Sequence, residues 1–159
     1  MLVRAEYEHL VYTLPIRYPA IRVSTLVIAP PGLDTARLTG WVAFSDDIVL
    51  CVYELLDFQR GVIEAYRYEI TQSQLSFPEN LLPDATEYCR ANYPGKTKLY
   101  WYDSWPHPNN PDLASTHSHH KHTPPDIKHN RLPAPGLSFT QPNLPFLIEE
   151  IERELLRLP

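Results

Sequence analysis

The pattern of apolar and polar positions changes from a helical to a strand period within the first twenty residues. Residues 3 to 14 form one apolar stripe at helical spacing, and we expect Pro15 to end this helix. Four β-branched or aromatic runs separated by turn residues follow, at 20–29, 36–44, 48–56 and 62–70. Short links between them favour an antiparallel meander, because parallel neighbours need long crossovers. The members of the helical stripe are Val3, Tyr7, Leu10, Val11 and Leu14.

Alternation assigns faces to the third and fourth runs. In the third run, Glu54 shares one side of the strand with Ile48, Leu50, Val52 and Leu56. In the fourth run, Glu64 shares a side with Val62, Tyr66, Tyr68 and Ile70, and Ile63 takes the other side. Because burying a carboxylate is costly without a partner, Glu54 either reaches solvent near a strand end or has a buried partner.

The second half of the chain contains a less regular segment before a fifth strand. Residues 72–97 break the strand pattern and could hold one short helix, 84–92, with Asp84 as its cap. A strand is expected at 98–105. Residues 106–143 form a proline- and histidine-rich arm, which we expect to be irregular because proline removes amide donors.

The final stretch, 144–158, has the clearest helical pattern in the chain. Its apolar stripe is Leu144, Leu147, Ile148, Ile151, Leu155 and Leu158. The whole pattern predicts an α+β fold: an N-terminal helix, an antiparallel meander of about five strands, the arm and a C-terminal amphipathic helix. We expect one domain over residues 1–159, in which 72–97 is an insertion.

Net charge, cysteine count and the length of the apolar runs limit the classes of protein to which the chain can belong. The 159 residues carry a formal net charge of −5, which argues against broad affinity for nucleic acid unless a local positive patch provides it. Two cysteines are too few for a disulfide framework, and Cys51 is expected to be a small buried apolar residue. The charged N-terminus does not resemble a signal peptide, and no apolar run is long enough for a membrane span. We therefore expect a soluble cytoplasmic protein.

Histidines cluster in the arm, where six of the seven lie between His107 and His129. The run His117-Ser-His-His-Lys-His122 allows three interpretations. It could chelate a metal, with His107, Glu54 or Asp103 completing the ligand set. It could transfer protons in metal-independent phosphoryl chemistry, such as RNA cleavage, with nearby cations steadying the phosphate. It could also be a solvated polar loop, and local spacing alone does not decide between these interpretations.

The aromatic segment 100–108 supplies a possible partner for the histidines. Alternation places Asp103 between Trp101 and Trp105 on one face, and His107 follows just past the strand. Carboxylates orient imidazoles both in catalytic triads and around metal ligands. We therefore expect the arm to fold back so that its histidines meet Asp103 and His107.

Three motifs in this order resemble the TumE-type toxin family. They are Tyr66-Arg67-Tyr68, the segment Tyr102-Asp103-Ser104-Trp105-Pro106-His107-Pro108, and His119-His120-Lys121-His122. The layout of helix, meander, arm and helix is also similar, from about residue 3 to residue 157. The resemblance implies the toxin of a toxin–antitoxin pair, a cognate antitoxin partner that is commonly DNA-binding, and growth arrest by ribonuclease-like activity on RNA.

Under the ribonuclease hypothesis, Lys121 holds phosphate, His120 and His122 divide the acid and base roles, and Asp103 orients one of them. The candidate catalytic residues are Asp103, His107, His119, His120, Lys121 and His122. The candidate substrate-binding residues are Tyr66, Arg67, Tyr68, Tyr102, Trp105, Lys128 and Arg131. No cofactor is expected under this hypothesis. The alternative is a nonenzymatic module whose histidine arm and C-terminal helix dock a partner, with zinc as a possible ligand.

Overall fold

The computed structural model describes residues 1–29, 32, 34–73, 85–90 and 93–156. The helices are α1 (Arg4–Arg17), α2 (Ala85–Tyr88) and α3 (Leu144–Glu154). The strands are β1 (Ile21–Ser24), β2 (Val27–Ala29), β3 (Thr35–Phe44), β4 (Ile48–Asp57), β5 (Val62–Ser73), β6 (Lys96–Asp103), β7 (His120–His122) and β8 (Arg131–Pro133).

The eight strands of the described residues form a single antiparallel sheet, which confirms the α+β fold. The order is β1-β3-β4-β5-β6-β7-β8, and β2 pairs with β3 beside β1. The strand count exceeds the five predicted for two reasons. The run 20–29 is interrupted at Thr25 and Leu26, and the arm contributes β7 and β8. The interruption allows a close approach at Gly40, where a Cβ would lie 2.6 Å from the Thr25 carbonyl oxygen.

Helices α1 and α3 cover one side of the sheet, called here the helix face. The predicted stripe of α1 is buried there except at Val3, which is 48% exposed because it is the N-cap residue. The prediction that Pro15 ends α1 is wrong. Proline has no backbone N–H, so the helix loses only the one hydrogen bond that residue 15 would donate. The Tyr18 amide closes the last turn by donating to the Leu14 carbonyl at 2.9 Å.

The two helices in the second half of the chain are shorter than predicted. Helix α3 spans Leu144–Glu154 and buries Leu144, Leu147, Ile148 and Ile151, whereas Leu155 is only partly buried. Helix α2 is a single turn, and the expected cap Asp84 and the helix end at residues 91–92 lie outside the described residues. Leu158 also lies outside them.

A β-bulge at Glu64 changes the faces predicted for β5. Leu55 pairs with Ala65 and Leu56 pairs with Ile63, so Glu64 is the extra residue. As a result Ile63 points into the core and Glu64 does not share the core face. Tyr66, Tyr68 and Ile70 keep the predicted face because they follow the bulge.

Glu54 lies in the core rather than reaching solvent. Its carboxylate is fully buried and accepts hydrogen bonds from the hydroxyls of Tyr7 and Tyr68, the latter at 2.6 Å. Asn143 in turn donates to the Tyr68 hydroxyl at 3.0 Å. Burial raises the pKa of Glu54 to about 7, although the two tyrosine hydrogen bonds oppose this shift.

The opposite side of the sheet has a smaller apolar cluster under α2. Tyr88 packs on Trp41 with ring centroids 6.2 Å apart, and Cys51 forms a disulfide with Cys89. Cys51 is buried as expected, but its pairing was not expected, because the 38-residue separation carries no sign of spatial proximity. Among the described helices, none combines the length and apolar character needed to cross a lipid bilayer.

Candidate active site on the open face of the sheet

The arm extends the sheet beyond β6 instead of remaining irregular. Strand β7 pairs with β6 so that His120 is opposite Asp103 and His122 is opposite Trp101. Strand β8 then pairs with β7 and places Arg131 opposite His122. The prediction of an irregular arm is therefore wrong for these two short strands, which satisfy backbone groups between the prolines.

The register of the strands aligns side chains across the sheet in rows. One row on the side away from α1 and α3 contains Arg67, Asp103 and His120, and the next contains Glu69, Trp101, His122 and Arg131. We call this surface the histidine face. Because alternate residues of a strand point to opposite sides, the row between them, Tyr68, Tyr102 and Lys121, lies on the helix face.

Asp103 is the centre of a hydrogen-bond network on the histidine face. His120 Nε2 lies 3.0 Å from Oδ1 and His122 Nε2 lies 3.3 Å from Oδ2. The two Nε2 atoms are 3.0 Å from each other. The Trp105 amide donates to Oδ1 at 2.9 Å, and the Trp101 indole N–H donates to Oδ2 at 3.2 Å. Both oxygens of the carboxylate are therefore fixed in position.

The network also keeps Asp103 ionised. Its partial burial alone would raise the pKa of the carboxyl group. The hydrogen bonds from His120, His122 and the Trp105 amide outweigh burial and hold the pKa of Asp103 well below its usual range. The carboxylate thus remains a negative charge that orients the two buried imidazoles.

His107 joins the cluster from the loop after β6. Its ring is 4.8 Å from that of His120 in an edge-on arrangement. Burial, together with the positive charges of Arg131 and His120, lowers the pKa of His107. A pocket of about 240 Å³ opens beside these residues and is lined by His107, His117, His120 and Leu113, among others. The cluster is therefore accessible to a small group entering from solvent.

Several cations lie on the same face as the cluster. Arg67, Lys96 and Lys98 all contact Glu69, which is buried among them. Burial would raise the pKa of Glu69, but the two lysines lower it. With Arg131, these residues make four cations against two carboxylates, Glu69 and Asp103, among the described residues of β5 to β8 on this face. The histidine face is thus locally positive in a chain of net charge −5.

Lys121 does not share the pocket with the neighbouring histidines. Its Nζ lies 2.8 Å from Glu150 Oε1 in α3 and 3.9 Å above the Tyr100 ring. The expectation that Lys121 meets the histidines at one site is wrong, because the strand formed by the arm alternates its side chains. Tyr102 belongs to the same arrangement and donates to Glu150 at 2.6 Å.

His119, Tyr66 and Tyr68 also lie away from Asp103. His119 Nδ1 is 2.6 Å from the Tyr66 hydroxyl, and the two rings stack. Burial lowers the pKa of His119, as do the charges of His120 and His117. Tyr68 is buried against Glu54 in the core. These residues support the fold around the arm, and the structure does not bring them into the Asp103 cluster.

The remaining candidates lie at the edge of the site or in the arm. Trp105 is 73% exposed and lies two residues after Asp103 in the chain. Lys128 is exposed in the loop between β7 and β8. Arg67 and Arg131 lie on the histidine face. The structure therefore brings together Asp103, His107, His120 and His122 from the predicted catalytic set, while the roles of all the candidates stay predictions.

The candidate list drawn from the sequence omitted two residues that the structure connects to it. Trp101 stacks on His122 with ring centroids 4.1 Å apart, and strand alternation already placed it beside Asp103. Glu150 pairs with Lys121 and was not identifiable, because a charged residue in an amphipathic helix normally faces water. His117, which lines the pocket, appeared only among the candidate metal ligands.

Fold and site together define an α+β protein that carries a histidine–carboxylate cluster on a positively charged sheet face. Residues 13–155 match the model of the TumE toxin family, described as toxin TumE, so the chain belongs to this family. No curated protein and no solved structure matches the chain. Family membership indicates a toxin component and implies an antitoxin partner.

Proposed function

We propose that this toxin-family chain arrests growth by cleaving RNA at the histidine face. The observation that supports the proposal most is the convergence of Asp103, His107, His120 and His122 beside a pocket open to solvent. Imidazoles near neutral pH can both donate and accept protons, and a carboxylate partner orients them. The locally positive surface provides the electrostatic attraction that an acidic chain needs to capture RNA.

His107 and His120 are the proposed acid and base, because both line the pocket. One imidazole takes the proton of a ribose 2′-hydroxyl while its oxygen attacks phosphorus. The other gives a proton to the 5′-oxygen as the bond between phosphorus and that oxygen breaks. The products are a 2′,3′-cyclic phosphate and a free 5′-hydroxyl, so the reaction needs no further reactant.

Arg131 replaces Lys121 as the proposed phosphate-binding cation. Arg131 pairs with His122 across β7 and β8, and its charge acts on His107. Lys121 is engaged with Glu150 on the helix face. A guanidinium also matches the geometry of phosphate oxygens better than an ammonium, because it can donate two parallel hydrogen bonds. Asp103 keeps the orienting role proposed from the sequence.

The biological setting is part of the same proposal. We place the protein in the cytoplasm, where its RNA substrate would be, and we expect a DNA-binding antitoxin encoded beside it to neutralise it. Family membership supports the antitoxin partner. The DNA-binding character of that partner follows from the resemblance between the motifs of this chain and those of the family.

The test measures cleavage of single-stranded RNA by the purified chain. His107→Ala and His120→Ala should each lower the rate about 100-fold or more, because each removes a proton-transfer group. His129→Ala is the matched control, since His129 is an exposed histidine that pairs with its own carboxylate, Asp126. Circular dichroism and thermal melting would establish that each variant is folded.

Growth arrest on induced expression provides the second measurement. The wild type and His129→Ala should arrest growth, whereas His107→Ala and His120→Ala should not. Wild-type protein that arrests growth without cleaving RNA would contradict the nuclease, as would cleavage that survives both pocket substitutions. The first of these results would favour a nonenzymatic module that docks a partner.

A further inference from the structure

The ring orientations of His120 and His122 indicate more than a proton-transfer pair. The Nδ1 atom of His120 lies 3.3 Å from the Ser118 carbonyl oxygen, and that of His122 lies 3.0 Å from the Ile127 carbonyl oxygen. A carbonyl oxygen can only accept a hydrogen bond, so each Nδ1 carries the proton of the neutral ring. The Nε2 atom of each neutral ring then carries a lone pair, and it donates to Asp103 only in the protonated ring.

Both lone pairs point toward the same carboxylate. The two Nε2 atoms are 3.0 Å apart, and each is within 3.3 Å of an Asp103 oxygen. Atoms that can only accept repel one another at this distance, so positive charge must lie between them. Protons can supply that charge, and so can a metal cation. Histidines that bind metals show the same arrangement, with the second ring nitrogen donating to a backbone carbonyl or carboxylate.

His107 can complete the set of ligands. The potential ligand atoms of Asp103, His107 and His120 all lie within 4.8 Å of one another. His122 lies outside this compact group, but its Nε2 is 3.0 Å from that of His120 and 3.3 Å from Asp103 Oδ2, so the cluster as a whole offers three imidazoles and one carboxylate. Tetrahedral zinc, with bonds of about 2.0–2.1 Å, needs ligand atoms roughly 3.3 Å apart. The distances around His120 and Asp103 are close to this spacing.

We propose that Asp103, His107, His120 and His122 form a binding site for one divalent transition-metal ion of the zinc class. Imidazole and carboxylate ligands suit zinc and cobalt(II), and this set contains no thiolate that would favour copper(I). Arg131 is one of the cations on the histidine face, and its positive charge opposes binding because it acts on His107. The paired lone pairs of His120 and His122 and the charge of Asp103 provide the attraction that outweighs it.

The site has a consequence for the proposed RNA cleavage, on which this step rests. An ion bound to His107 and His120 occupies the nitrogen lone pairs that would otherwise move protons. Metal binding and acid–base cleavage therefore exclude each other at this cluster. Zinc should inhibit cleavage, and a chelator should restore it.

The binding experiment uses untagged, chelator-treated protein without RNA, so that its outcome does not depend on cleavage. Titration with cobalt(II), followed by visible absorption, and with zinc, followed by calorimetry, should show one ion per chain. His122→Ala and Asp103→Asn should each weaken binding at least tenfold, whereas His129→Ala, which keeps the cluster intact, should bind as wild type does. Because His122 is buried, the partly exposed His107→Ala provides a variant with less risk to folding.

The possible results separate the two proposals. Absence of binding to wild type, or equal loss of binding in His129→Ala and Asp103→Asn, would overturn the metal site. Zinc that accelerates RNA cleavage would support the metal site and overturn the proposed exclusion between metal binding and cleavage. A chain that binds one ion but cleaves no RNA in chelator would support the site and overturn the proposed nuclease.

Discussion

At the scale of single residues, the alternation of side chains in β7 decides which groups can act at Asp103. His120 and His122 point to the histidine face, where they contact the carboxylate. Lys121 lies between them in sequence but points to the helix face, where it contacts Glu150 and, at 3.9 Å, Glu154. A run of adjacent polar residues therefore contributes to two separate networks.

This division predicts that Lys121 matters for stability and not for chemistry. Lys121→Ala should lower the free energy of unfolding by about 1–3 kcal/mol, because it leaves the buried Glu150 carboxylate with fewer donors. RNA cleavage should stay within about twofold of wild type. Urea denaturation and the cleavage assay measure the two effects. Arg153→Ala, at an exposed cation of α3 that pairs with Glu154, is the control that should change neither. Loss of cleavage at unchanged stability would return Lys121 to the active site.

At the scale of secondary-structure elements, the regular parts of the fold were predictable because they are long enough to show a period. Strands β3, β4 and β5 and helix α3 each present ten or more residues with one buried side. Strands β7 and β8 have three residues each, which is too few for alternation to be visible between prolines. The bulge at Glu64 was equally hidden, because it shifts the period by one residue within an apolar run.

The outline of the site was also predictable from the sequence. An acidic residue on an aromatic strand and a histidine-rich arm suggested a meeting point, and four of the expected residues lie together there. The sequence did not show that the side chains of the arm divide between two faces of the sheet. That division follows from the pairing of β7 with β6, which is a tertiary contact. The partnership of Lys121 with Glu150 depends on the position of α3 across the sheet and has no local signal.

The disulfide is the connection that holds α2 on the sheet. A helix of four residues has little stability of its own, and its anchors are the Cys51–Cys89 bond and the packing of Tyr88 on Trp41. Thiols in the cytoplasm are normally kept reduced, so the proposed cytoplasmic form would lack this bond. The histidine cluster lies on other strands, and its geometry does not include either cysteine.

We therefore predict that reduction weakens the fold and leaves the site intact. Reducing a bond that joins residues 38 positions apart should lower the free energy of unfolding by about 2–4 kcal/mol. Cys89→Ser should show the same loss and no further change on adding reductant. Denaturation with and without reductant measures this, alongside the RNA cleavage rate, which should not change. Equal shifts in wild type and Cys89→Ser would show that the reductant acts elsewhere.

At the scale of the whole molecule, the sheet separates the main core from the histidine face, and Glu54 links the parts of that core. Tyr7 reaches it from α1, Tyr68 reaches it from β5, and Asn143 connects this group to the start of α3. An ionised Glu54 would therefore place one negative charge among elements from both ends of the chain. Global stability should depend on its protonation.

The sign of this dependence follows from the raised pKa. Burial raises the pKa of Glu54 from 4.5 to about 7 in the folded protein. The folded state binds the proton more tightly than the unfolded state, so the contribution to stability is complete below about pH 4.5. It is lost as the pH rises through 7, by about 3 kcal/mol in total. His107 and His119, whose pKa values are lowered, act in the opposite direction and must be separated from Glu54.

Comparison with Glu54→Gln isolates this contribution, because glutamine keeps the shape and cannot ionise. Between pH 4.5 and 8, wild type should lose about 3 kcal/mol of unfolding free energy relative to Glu54→Gln, since only wild type must bury a charge at the higher pH. Glu64→Gln is the control, because Glu64 is on the neighbouring strand and pairs with Arg60 at the surface. Urea denaturation across this pH range measures the difference. Parallel curves for wild type and Glu54→Gln would mean that Glu54 does not change its protonation in the folded core, and the hydroxyls of Tyr7 and Tyr68 would then be sufficient to hold it in one state throughout.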